Sequence, residues 1–160
     1  MADIFTIKER SRLMSRIRAR GNRDTELKMV ALFREYGVTG WRRNAHVFGK
    51  PDFIFPRKKL AVFVDGCFWH RHKGCKFSYT PKTRAEFWLP KFEQNVARDQ
   101  VVTRTLRSQG WQVVRVWECS LTRRNLARTA KQLKRKIDQI SESVGDRQPR
   151  VSQERKTRAT

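Results

Sequence analysis

No stretch of this 160-residue chain approaches the roughly 18 consecutive apolar residues that a membrane-spanning helix needs, and neither end carries a secretory leader or a lipidation motif. The expectation is a cytoplasmic protein with no membrane partner. Acidic residues are scarce, 15 against 37 lysines and arginines, so the formal net charge is +22. Such an imbalance excludes polycationic partners and points to a polyanion, with nucleic acid the leading candidate. Cysteine is limited to three residues, which cannot all pair within one chain. Two of them flank a histidine, so they read as metal ligands in a reducing compartment rather than as a disulfide framework. No internal repeat occurs, and residues 141–160 contain almost nothing apolar, so a disordered basic tail is expected there. What remains fits a single domain large enough to bury a core without covalent staples.

Within that domain, residues 7–20 are basic with Leu13, Met14 and Ile17 at helical spacing, suited to lying along a phosphate backbone. Asp24 and Thr25 offer N-cap oxygens to a helix carrying Leu27, Val30, Ala31, Leu32 and Phe33, which should end at Gly37. Residues 41–48 alternate loosely as a strand, broken by Gly49 and Pro51. Residues 52–55 and 60–65 are β-rich runs either side of Pro56, and predict two neighbouring strands. A loop over 79–84 leads to a helix from Arg84 to Leu106, interrupted or restarted at Pro90 and closed by Gly110. Residues 111–117 form a third core strand, and 121–140 a basic helix. This order implies an α/β sandwich around a central mixed sheet.

The chemistry gathers after the apolar run Val62, Phe63, Val64, which ends in Asp65, Cys67, Phe68, Trp69, His70, His72 and Cys75. Asp52 opens one strand and Asp65 closes the next, so adjacent hairpin strands would bring two carboxylates together as oxygen ligands for Mg²⁺. Taken singly, a carboxylate at a strand end is more often a solvated turn residue. His70 titrates near neutrality and is a candidate general base. Cys67, His72 and Cys75, joined by Cys119 at the end of the third strand, supply four ligands for a closed, structural, tetrahedral zinc. Phe68, Trp69 and Trp88 are large rings in polar, basic surroundings; each can fill the core, or wedge between base pairs at a cost that a mismatch lowers. Met14 is a similar wedge candidate.

At these residues the chain resembles the very short patch repair (Vsr) DNA mismatch endonucleases. The likeness runs from about Arg10 to Cys119, through Asp24-Thr25-Glu26, Gly49-Lys50-Pro51-Asp52, Phe63 to His70, Phe87-Trp88, Asn95 with Asp99, and Trp117-Glu118-Cys119. It implies a restriction-endonuclease-like three-layer sandwich with a central mixed β-sheet and a structural zinc site. It also implies Mg²⁺-dependent nicking of duplex DNA next to the thymine of a T:G mismatch. In its terms Asp52 and the backbone carbonyl of Val64 hold Mg²⁺, His70 is the general base, and Glu26 lies beside the ion's waters. Cys67, His72, Cys75 and Cys119 hold Zn²⁺. Phe68, Trp69 and Trp88 stack or wedge, Met14 enters from the minor groove, and Lys91 and Asn95 meet the mismatched pair. The implied partners are a cytosine methyltransferase system and mismatch-repair proteins, with the enzyme acting as a monomer.

Two departures from the family pattern stand out. Asp65 occupies a position where the best-known members have a histidine, which reverses the local charge. One additional residue separates His72 from Cys75. The expected organisation is a DNA-contacting segment over 1–22, an endonuclease domain over 23–140 and a tail over 141–160. Two further readings stay open on the residues alone: a zinc-stabilised DNA-binding module without catalysis, and a nuclease of the same fold acting on ordinary or branched DNA.

Overall fold

The computed structural model describes residues 25–145, with side chains to residue 140, together with Thr6, Lys8, Glu9 and Arg12. Met14 and most of the basic N-terminal segment lie outside the described residues. In chain order the elements are α1 (Glu26–Glu35), β1 (Phe53–Phe55), a 3₁₀ turn (Pro56–Lys58), β2 (Leu60–Asp65), α2 (Ala85–Ser108), β3 (Gln112–Trp117), a second 3₁₀ turn (Glu118–Leu121) and α3 (Leu126–Gly145). The sheet runs β1-β2-β3, with β1 antiparallel and β3 parallel to the central β2. No helix among the described residues is long and apolar enough to cross a membrane.

Every residue of β2 is buried, because both faces of the sheet are covered. Leu60, Val62 and Val64 join Met29, Leu32 and Phe33 of α1 and Ala130, Leu133, Ile137 and Ile140 of α3 in one apolar cluster. Ala61 and Phe63, pointing the other way, join Val102 and Leu106 of α2. The two-residue period of the strand thus divides one apolar run between two sets of helices. Both α1 and α2 end as their glycines dictate. Gly37 (φ +63°) and Gly110 (φ +79°) take left-handed conformations, and Val38 and Trp111 donate back to the carbonyls of Phe33 and Leu106 at 2.8 and 2.9 Å.

Four expectations need correction. Thr25 stands at the N-cap of α1 but its side chain makes no capping bond, since its backbone (φ −123°, ψ −80°) lies outside the extended range from which the hydroxyl reaches inward. Residues 41–48 form no strand; only Arg42 bridges Ile54, because Asn44 turns left-handed (φ +54°) and ends the pairing. Pro90 neither interrupts nor restarts α2, which is continuous over 24 residues. Pro90 and Glu86 are both exposed, so water can replace the one missing backbone bond while Trp88 and Phe92 anchor the buried face. Lastly, α3 starts five residues later than expected, after the 3₁₀ turn, and its backbone continues to Gly145.

Candidate active site

The turn before β1 is pressed against α2. Gly49 has φ +74°, and a Cβ there would lie 2.2 Å from Val102 Cγ1, so only glycine fits both the backbone and the space. Asp52 follows at the strand entrance and accepts a 2.7 Å hydrogen bond on Oδ2 from the Val64 N–H of neighbouring β2. Burial pushes its carboxyl up from 3.8 to about 6, and the charges of Glu26 and Asp65 add to the rise, while the Val64 N–H and Arg43 oppose it. Glu26, itself buried in the first turn of α1, is ion-paired with Arg43. Asp52 is thus poorly hydrated and within reach of the charges of Glu26 and Asp65, a setting suited to a hard divalent cation. Among the described residues, one ligand atom each of Asp65, His70 and Asp99 also lies within 4.8 Å of the others.

Beyond β2 the chain coils tightly, with His70 N–H donating to Gly66 O and His72 N–H to Cys67 O, both at 3.1 Å. This brings His70 Nδ1 to 2.6 Å from Asp99 Oδ2 and 3.9 Å from Asp65 Oδ1. Burial alone would lower the imidazole's proton affinity, but the Asp99 hydrogen bond and the charges of Asp65 and Asp99 outweigh it, so the net displacement is upward. Asp65 is pushed up by burial against the pull of His70 and Arg115. Sequence reasoning assigned no role to Asp99 or Arg115. The available signal was Arg115 itself, a lone charge in the apolar strand β3.

Rings border the same space. Phe68 packs edge-on against Trp69, Trp88 and Phe92, with centroids 5.0 to 5.5 Å apart. Trp88 and Phe92 are buried beneath it, whereas Phe68 and Trp69 are half-buried, and Tyr79 and Phe87 are exposed. Asn95 donates from Nδ2 to the Trp69 carbonyl at 3.1 Å, tying the ring-bearing loop to α2. Glu26, Asp52, Val64, Asp65 and His70 line one side of a cleft of about 880 Å³; Phe68, Trp69, Trp88, Lys91 and Asn95 also line it. Lys50, Arg98 and Asp99, which the sequence reading did not select for the site, line it too.

Behind the cleft, one donor atom each from Cys67, His72, Cys75 and Cys119 lies within 4.8 Å of the others. Cys67 Sγ and Cys119 Sγ stand 3.5 and 3.3 Å from His72 Nδ1. Those separations are close to the ~3.6 Å edges of a tetrahedron built on zinc's bond lengths. The extra residue before Cys75 is absorbed by a turn in which Gly74 has φ +73° and Cys75 N–H donates to His72 O at 3.2 Å. His72 stacks flat on Trp117, centroids 4.2 Å apart, which fixes the ring plane. Burial, with the Cys119 and Cys75 thiols adding, pushes the Cys67 thiol up to about 12, so a cation bound among these donors would be what favours its thiolate. The donors present therefore fit a metal of zinc's character.

Comparison with known proteins identifies relatives of this chain. The family profile described as DNA mismatch endonuclease Vsr matches residues 2–76. The DNA mismatch endonuclease Vsr of Escherichia coli is 39% identical over 123 residues, covering 76% of this chain and 76% of its own. The type II nicking enzyme V.XorIIP of Xanthomonas oryzae pv. oryzae is 38% identical over 122 residues, covering 76% of this chain and 88% of its own. The type II nicking enzyme V.NmeAIP of Neisseria meningitidis is 33% identical over 144 residues, covering 90% and 100%. On those likenesses and this site, the chain belongs to the Vsr family of DNA endonucleases.

Proposed function

We propose that this protein nicks duplex DNA beside the thymine of a T:G mismatch, by Mg²⁺-dependent hydrolysis of one phosphodiester, in very short patch repair. The observation that carries the proposal is that a buried acid corner, an oriented imidazole and a set of rings line a single cleft. When bound, Mg²⁺ would polarise the phosphoryl group and offset charge on the leaving oxygen. Asp52, with the Val64 carbonyl, would hold that ion; the Val64 N–H locks one carboxylate oxygen and leaves the other free for it. Glu26 adds negative potential beside it and orders water there. His70, with Nδ1 committed to Asp99, accepts the proton of the attacking water at Nε2. Asp65, ion-paired with Arg115, belongs to the setting of the base.

Phe68 and Trp69 enter the base stack, with Trp88 as the floor on which they rest, and Lys91 and Asn95 meet the mismatched pair. Met14 is assigned the minor-groove side on resemblance. Zn²⁺ on Cys67, His72, Cys75 and Cys119 is structural, holding the loop that carries His70 against the end of β3. The reading extends to a restriction-endonuclease-like three-layer sandwich and to the division into residues 1–22, 23–140 and 141–160. It also covers action as a monomer in the cytoplasm alongside a cytosine methyltransferase system and mismatch-repair proteins.

The test is nicking of end-labelled T:G and matched duplexes, with and without Mg²⁺, by wild type, Asp52→Ala and His70→Ala. Nicking confined to wild type, T:G and Mg²⁺, with duplex binding retained in both variants, is expected. Cleavage by either variant, or equal cleavage of matched DNA, rejects the assignment.

A further inference from the structure

Arg115 enters the mechanism above only as the ion-pair partner of Asp65, yet its guanidinium reaches both of the acids that face His70. Its guanidinium lies over the Phe63 ring, 4.8 Å from the centroid. Nη1 donates to Asp65 Oδ2 at 2.5 Å. Nη2 donates to the Asp99 carbonyl at 3.2 Å and to Thr103 Oγ1 at 3.4 Å, and stands 3.4 Å from Asp99 Oδ1. One side chain of β3 thereby ties the end of β2 to two successive turns of α2.

The oxygens are divided in a specific way. Asp99 gives Oδ1 to Arg115 and Oδ2 to His70 Nδ1; Asp65 gives Oδ2 to Arg115 and turns Oδ1 toward the same nitrogen. Ionised carboxylates only accept, so two of them around one imidazole nitrogen compete for one N–H and repel each other. A planar, two-branched cation between them removes both problems, as a point-like ammonium would not. This bears on the departure at position 65, where the family's best-known members place a histidine. An acid there adds a second negative charge beside the base.

We infer that Arg115 is a positioning residue which makes an aspartate at position 65 compatible with a histidine base at position 70, by bridging Asp65 and Asp99, offsetting their mutual repulsion and leaving Asp99 Oδ2 to orient the imidazole. The inference rests on the reading of His70 as the base. Arg115 is not expected to touch DNA, as its side chain is only 19% exposed. Its loss therefore acts on turnover and not on affinity.

The experiment is a double-substitution cycle on the full chain with T:G duplex and Mg²⁺: wild type, Arg115→Met, Asp65→Asn and the double variant, with Arg115→Lys and His70→Ala alongside. A misplaced base costs about 100-fold per ångström, so Arg115→Met is expected to lower kcat about 10- to 100-fold with KM within about threefold. The double variant should exceed Arg115→Met by about tenfold or more, because the competing carboxylate is gone, and Arg115→Lys should recover only part of the loss. Zinc content and thermal midpoint check the fold; should Arg115→Met not fold, Arg115→Lys with and without Asp65→Asn carries the same comparison. An unchanged kcat, a loss confined to KM, or an equal loss with Asn at 65 would overturn the role of Arg115. Nicking by His70→Ala would instead overturn the base assignment, whatever the cycle returns.

Discussion

Replacing Asp52 by asparagine should make the protein more stable and inactive at once. Asparagine keeps the shape and an acceptor for the Val64 N–H, which lies 2.7 Å from the native carboxylate, but never ionises. Burial raises the native carboxyl from 3.8 to about 6, a displacement equivalent to about 3 kcal/mol. Below pH 3.8 the folded and unfolded chains both carry the proton and the residue leaves stability unchanged. As pH rises toward 6 the unfolded chain releases its proton first, so native stability falls, and above 6 the whole penalty stands. The advantage of Asp52→Asn should therefore open between about pH 4 and 6. It should level at about 2 kcal/mol once partial exposure of the carboxyl is allowed for. Urea unfolding of both proteins from pH 4 to 8, without added magnesium, measures it; titrating groups not coupled to Asp52 cancel in the difference, and relief of Glu26 and Asp65 adds to it in the same direction. Added Mg²⁺ should then stabilise the wild type and not the variant. An asparagine variant less stable than wild type at pH 8, or a gap independent of pH, would refute the argument that Asp52 is held in the fold against its own hydration.

Gly49→Ala combines a left-handed backbone with a Cβ 2.2 Å from Val102, and should cost about 2 kcal/mol or more, read as a lower urea midpoint and weaker nicking. Cys119→Ser should abolish stoichiometric zinc by metal analysis and lower the thermal midpoint by roughly 10 °C, with proteolysis appearing in residues 66–84. Trp69→Ala should weaken T:G duplex binding about 5- to 150-fold while zinc content is unchanged, since a base stacked on a ring is worth about 1–3 kcal/mol. Equal binding of matched and mismatched duplex by wild type would remove the basis for that prediction.

Local pattern carried much of the fold. The helix ending at Gly37 and the apolar run of β2 appear where they were expected, because each is specified by neighbours within one or two turns, although the helix buries Met29 with Leu32 and Phe33 and leaves Leu27 and Ala31 exposed. The misplaced elements failed for equally local reasons with a tertiary remedy: Asn44 turned a loose alternation into a bend, and packing by Trp88 and Phe92 carried α2 through Pro90. The clustering of Cys67, His72, Cys75 and Cys119 was legible because three thiols and a nearby histidine have few other uses in such a chain. Asp99 and Arg115 were not, since they lie 29 and 50 residues from His70 and Asp65. No periodicity links such positions.

By itself, then, the order of residues determined the charge, the succession of helices and strands, the zinc-type donor set and the run that delivers His70 to the end of β2. Only the tertiary structure decided which acid lies against that histidine and which cation bridges the two acids around it. The reason is one of range: composition and periodicity act over a few residues. A hydrogen bond of 2.6 Å between His70 and Asp99 depends on where α2 crosses the sheet.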